Sequence, residues 1–174
     1  MADKTALREL QGRLAERLRT AQADAPRRSW LAVEAGGHGW LFPLAQAGEI
    51  HPPVAVTPVP HTRPWFAGVA VLRGALFGVA DLAGFLGLPP RPQQDRGEAR
   101  WVGFSAAADL PCVLRVDRLA GLRGEGVLVP EAEGDEAPRP AFVGGRYRDA
   151  AGRPWLELQL AALAQDPVFR DIAA

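Results

Sequence analysis

Apolar and polar positions change over in short runs along most of the chain, and glycine or proline breaks nearly every run before it reaches helix length. Residues 30–35 alternate, Gly36, Gly37, His38 and Gly39 supply a turn, and Trp40, Leu41 and Phe42 begin a return strand, the pattern of a β-hairpin. Residues 43–50 read as a short helical turn leading to Glu49. Prolines at 52, 53, 58, 60 and 64 then forbid a central strand and leave an extended connection over the surface. Two denser apolar runs follow, residues 68–72 and 76–80, and Gly74-Ala75 between them suits a two-residue turn with glycine first. That register sets Arg73 opposite Leu76, Val71 opposite Gly78 and Val69 opposite Ala80. Both runs are apolar at nearly every position, which predicts burial on two sides. Five strand residues at about 3.3 Å each separate the turn from Asp81, so Arg73 and Asp81 do not meet. Asp81 is expected to cap a short helix beginning at Leu82, which Gly87 and Pro89 end.

At the amino end, Leu7, Leu10, Leu14 and Leu18 draw one apolar stripe along a helix over residues 5–23. A stripe so narrow docks either on the body of this protein or on a partner; self-docking is favoured, because an isolated helix of this length is marginal in water. Residues 1–25 are therefore a helical extension and 26–174 the folded domain. The proline-rich segment 89–97 divides that domain into lobes, with the carboxyl-terminal segment free to return to the first. Beyond it, residues 100–105 and 112–116 form an antiparallel pair. Residues 121–126 and 130–140 read as loops, the acidic 131–136 portion as a solvated excursion. Phe142-Val143 and residues 155–158 complete a second small sheet around a turn at 149–152, and a short helix over 160–164 closes the chain before Asp166-Pro167. Arg115 and Asp117 fall on one strand face, Val116 and Arg118 on the other, the mark of a protected edge strand.

At 174 residues and 48% hydrophobic, the chain can bury a sizeable core. Twenty basic and twenty acidic residues cancel, so nothing attracts the whole chain to nucleic acid or an anionic membrane. The single cysteine, Cys112, excludes an intrachain disulfide and fits a reducing compartment; in its apolar run it reads as a small hydrophobe rather than a reactive thiol. No window approaches a membrane span, so neither a signal peptide nor an anchor is expected.

No chemistry-bearing constellation stands out. His38, His51 and His61 are scattered among turns and prolines without zinc spacing. No phosphate-cradling loop appears, and neither Ser29 nor Ser105 sits in a nucleophile elbow. No metal, no cofactor and no catalysis are expected. Trp65 and Phe66 read as core, since adjacent aromatics can bury at most one side chain on each face. Arg73, at a hairpin tip, either bonds exposed carbonyls of its own sheet or belongs to a surface that binds another protein.

The order Glu49-Ile50, Pro60, Trp65-Phe66-Ala67-Gly68-Val69, Leu72-Arg73-Gly74 and Val79-Ala80-Asp81-Leu82 resembles the CheW family, the coupling proteins of bacterial chemosensory arrays. The likeness continues through Val116-Asp117-Arg118-Leu119, Ala141-Phe142-Val143-Gly144-Gly145 and Trp155-Leu156-Glu157-Leu158, the last showing Glu where the family usually ends in Leu-Asp. The two chain ends look most like the members serving type IV pilus chemosensory systems. The resemblance implies a mainly β fold of two small five-stranded SH3-like barrel lobes, here with an N-terminal helix and a short C-terminal one. It implies a cytoplasmic, non-enzymatic adaptor between a methyl-accepting chemoreceptor's cytoplasmic tip and the regulatory domain of a CheA-type histidine kinase, held to receptor arrays through its partners without inserting in the membrane. Arg73, Gly74 and Glu49 would lie on the protein-binding surface, beside a groove between the lobes. The rivals are an array-scaffolding module acting through self-association or kinase contact only, and a small β-barrel hydrolase with an unrecognised nucleophile.

Overall fold

Strand β1 (Ser29–Ala35) and strand β2 (His38–Pro43) form the first hairpin, and a two-residue turn, Gly36 at φ +59° and Gly37 at φ +79°, joins them. This computed structural model describes residues 28–89, 98–132 and 139–174. The period of two in β1 divides its side chains between two apolar layers: Trp30 and Ala32 enter one core, Leu31, Val33 and Ala35 another.

The remaining strands are β3 (Ala47–His51), β4 (Phe66–Leu72), β5 (Ala75–Asp81), β6 (Arg100–Phe104), β7 (Cys112–Val116), β8 (Arg118–Gly124), β9 (Val129–Pro130), β10 (Val143–Arg148) and β11 (Pro154–Leu158). They make two sheets, a six-stranded one ordered β8-β1-β2-β11-β10-β9 and a five-stranded one ordered β3-β6-β7-β5-β4. The fold is thus mainly β and two-lobed as expected, although the short β9 brings one sheet to six strands. The chain weaves between sheets. β5 and β6, which flank the proline-rich segment in the sequence, belong to the same sheet because both pair with β7, and the parallel pairing of β11 with β2 brings the carboxyl-terminal part of the chain onto the first hairpin.

Each sheet has its own core, around Trp30, Leu41, Tyr147 and Trp155 in one and Leu72, Val79, Trp101 and Val113 in the other. The largest core lies between them, where Trp65, Leu82, Leu114, Leu158, Leu163 and Phe169 are all buried. Its aromatic centre is Trp65, stacked on Phe169 at 5.5 Å and edge-on to Phe85 at 5.2 Å. Each large side chain fully removed from water contributes about 1.5–3 kcal/mol, so this layer is what holds the lobes together.

Helices are short: α1 (Leu82–Phe85), α2 (Leu160–Leu163) and α3 (Pro167–Arg170). α2 falls where expected. α3 was not anticipated, yet its signals are local: Asp166 accepts from Val168 N and Phe169 N, and Pro167 takes the first helical position. The N-terminal helix expected over residues 5–23 lies outside the described residues, as does most of the acidic segment.

Several local expectations are corrected. Residues 47–51 are strand β3, not helix, because Ile50 and His51 pair with Val102 and Trp101 of β6. Residues 121–124, expected as part of a loop, belong to strand β8, because β1 supplies a partner along its length and Gly121, at φ +93°, absorbs a register shift. β7 is no edge: it lies at the centre of its sheet between β6 and β5, and it ends before Asp117. Asp81 precedes α1 but makes no side-chain cap; the parallel pairing of β5 with β7 puts Arg115 opposite it, and the two bond at 3.1 Å.

Candidate functional surface

The turn of the β4–β5 hairpin lies one residue earlier than its pattern suggested. Leu72 faces Ala75, Val71 faces Leu76 and Val69 faces Gly78, so the two turn residues are Arg73 and Gly74. Their φ angles, +49° and +82°, carry the positive signs of a type I′ turn, the form whose twist matches flanking strands. Glycine meets this demand without strain; arginine does not. Arg73 thus occupies a position where local energetics favour another residue.

The strands are also not buried on both sides up to the tip. One face carries Ala70, Leu72 and Val79 into the sheet's core. On the other, Ala80 is buried between the lobes, Gly78 and Val69 line a groove, and Leu76 and Val71 are 61% and 63% exposed. The apolar character that pointed to burial instead forms a bare strip running to the tip.

Arg73 and Glu49 are brought together. A guanidinium nitrogen of Arg73, whose side chain is 76% exposed, bonds Glu49 Oε1, and His51 Nε2 stands 3.9 Å from Glu49 Oε2. Since β3 and β4 are opposite edges of the five-stranded sheet, this pair spans a sheet that has curled toward closure. A Cβ added at Gly74 would meet only open space.

Beside the hairpin lies a groove of about 440 Å³, walled by Phe66, Val69, Leu76, Leu110, Phe169 and Ile172. Its far wall is fixed by the chain end: Arg63 donates to Asp171 O at 2.8 Å and Asp171 Oδ2 at 2.9 Å, and Arg63 N donates to Ile172 O. Trp65 is core, as expected, while the neighbouring Phe66 is half-buried and lines this groove. A groove was expected from the family likeness, but the exposed strip was not foreseen, because an exposed valine or leucine looks like a core residue in the sequence.

Elsewhere, titratable groups serve the fold. Burial pushes the Cys112 thiol up to about 12, which leaves it neutral and unreactive. Burial also raises Glu34, but hydrogen bonds and charge from Arg118 and Arg153 outweigh it and hold the carboxyl below its ordinary value. The Glu34 cluster ties β1 to β8 and to the start of β11. Among the described residues no three His, Cys, Asp or Glu side chains gather as a metal site would require. No helix among them is long and apolar enough to cross a membrane.

Residues 29–168 match the family model of the CheW-like domain. The chain is 30% identical over 163 residues to Protein PilI of Pseudomonas aeruginosa, covering 92% of this chain and 89% of that protein. Its fold is similar to the crystal structure of scaffolding protein TtCheW from Thermoanaerobacter tengcongensis, with a TM-score of 0.64 at 16% identity over 84% of this chain and 97% of that one. A matched domain model over most of the chain, a relative of nearly equal length and a shared two-lobed β fold agree: this chain belongs to the CheW-like family.

Proposed function

We propose that this chain is a cytoplasmic, non-enzymatic adaptor that couples chemoreceptors to a CheA-type histidine kinase, in a system governing type IV pilus motility. The observation that carries the reading is the hairpin tip: a strained, exposed arginine paired with Glu49 at the end of a bare Val71–Leu76 strip. Apolar area of this kind supplies affinity, and the flanking charges supply register and choice of partner. A partner bridging tip and groove would cover Leu76, which belongs to both. Gly74 contributes by letting the turn form without a side chain at its crown. The pilus assignment rests on the likeness to PilI over most of both chains.

Calorimetric titration of the chain with the regulatory domain of the CheA-type kinase encoded nearest to it tests the reading, with Arg73→Glu in parallel. Saturable binding that Arg73→Glu weakens at least tenfold, about 1.4 kcal/mol, supports it. A folded protein that does not bind the kinase but self-associates at micromolar concentration would replace it with an array-scaffolding module.

A further inference from the structure

We infer that a cleft at the start of β1, on the six-stranded sheet, receives an arginine or lysine side chain of a partner protein, with Glu157 as its counter-charge. The cleft holds about 440 Å³ and is lined by Arg28, Trp30, Leu44, Gln46, Glu157 and Gln159 among others. Glu157 is 6% exposed, the one charged side chain among the described residues that is so deeply buried. Its Oε1 accepts from Trp30 Nε1 at 2.7 Å, and Gly145 N reaches its Oε2 only at 3.4 Å. Both donors are neutral, and no basic side chain of the described residues forms an ion pair with it within 4 Å. Arg28, on the rim, is engaged by the Tyr147 hydroxyl.

A carboxylate taken out of water without a counter-charge is costly, and two oxygens with four acceptor sites are far from filled by two N–H groups. The surroundings are nevertheless built to hold it there. A Cβ at Gly144 would lie 2.6 Å from Glu157 Oε2 and 3.1 Å from its Cβ, so a larger residue there would force the carboxylate to shift, and β10 is irregular between Val143 and Arg146 at this point. Gln46 is fixed by donating to Gln159 Oε1 at 2.8 Å and accepting from Ala161 N at 3.0 Å, which keeps the walls in place. At the rim Leu44 is 42% exposed. An apolar lip over a buried carboxylate suits a long aliphatic stem ending in a cation, which describes arginine and lysine and not a metal ion.

The test is a titration of the full-length, ¹⁵N-labelled protein with N-acetyl-arginine methylamide, following the Trp30 indole N–H, which reports on Glu157 directly. The uncharged citrulline analogue is the control. A saturable Trp30 shift with the arginine probe, absent with citrulline and at least tenfold weaker in Glu157→Gln, is expected. Glu157→Gln keeps an oxygen for Trp30; should it not fold, Leu44→Arg on the rim supplies a tethered cation and is expected to abolish the probe's shift. No saturable shift overturns the proposal, including the case in which the chain's own amino-terminal residues fill the cleft. So does a shift that citrulline reproduces, or one that neither variant alters.

Discussion

Replacing Arg73 by glycine separates what the hairpin tip does for the fold from what it does for a partner. Three effects act on stability. Glycine relieves the left-handed strain of arginine at φ +49°, a gain of about 1–2 kcal/mol. It adds freedom to the unfolded chain, a cost of about 0.5–1 kcal/mol. It removes the ion pair with Glu49, whose partners are 76% and 43% exposed and which is therefore worth about 0–1 kcal/mol. The sum lies between about 1 kcal/mol of loss and about 1.5 kcal/mol of gain, since the first term opposes the other two. Binding has no such compensation: the guanidinium is lost and Glu49 is left bare at the interface, so kinase affinity should fall at least tenfold, about 1.4 kcal/mol. Urea unfolding and calorimetric titration of the same two samples measure both quantities. Arg73→Gly that loses more than about 2 kcal/mol of stability while binding normally would refute the reasoning and make Arg73 a structural cap.

Val71→Ser with Leu76→Ser, both at positions more than 60% exposed, should shift stability by no more than about 0.5 kcal/mol per site yet weaken kinase binding about tenfold or more; unchanged binding would remove the strip from the interface. Asp166→Ala deletes the cap that receives Val168 N and Phe169 N and should cost about 1 kcal/mol, read as a lower urea midpoint, with Trp65 emission reporting the loss of its stack on Phe169. Glu34 has a folded value below its ordinary 4.5, so its stabilisation is complete above that pH and disappears as pH falls through the folded value. The stability advantage of the wild type over Glu34→Gln should therefore shrink as pH falls below the carboxyl's ordinary 4.5, and an advantage that grows on acidification would contradict the cluster.

What could be read in the chain was whatever neighbouring residues decide between themselves. The hairpins β1–β2, β6–β7 and β10–β11 emerged because turn residues and flanking strands are adjacent, and α2 because its pattern is self-contained. β8 was hidden by Gly121, Gly124 and Gly126, which look like a loop until β1 supplies a partner along their length. β3 was hidden for the same reason, since its pairing with β6 is separated by the whole β4–β5 hairpin. The parallel pairings that interleave the lobes, Leu156 with Trp40 and Gly78 with Cys112, leave no local signature at all. At the surface, turn chemistry marked Arg73 and Gly74, and family likeness alone marked Glu49. The exposed strip remained invisible because Val71 and Leu76 are chemically what a core would contain; only their distance from the inter-lobe layer leaves them bare.

Two arginine–carboxylate pairs in the five-stranded sheet differ in what the fold asks of them. Arg115 and Asp81 face each other in the register of β7 and β5, and the Asp81 side chain is only 22% exposed. Separating that pair would leave a partly desolvated carboxylate next to the inter-lobe core, so the fold itself needs both residues. Arg73 and Glu49 join the sheet's outer edges in water, where an ion pair adds little to stability and its loss leaves no buried charge. A residue held at an unfavourable φ for so small a structural return is what motivates the proposed contact of Arg73 with a partner. The same reasoning applies in reverse to Glu157, which is buried with only the Trp30 and Gly145 N–H groups as hydrogen-bond partners among the described residues. In both lobes the proposed binding roles rest on this energetic mismatch and not on residue type.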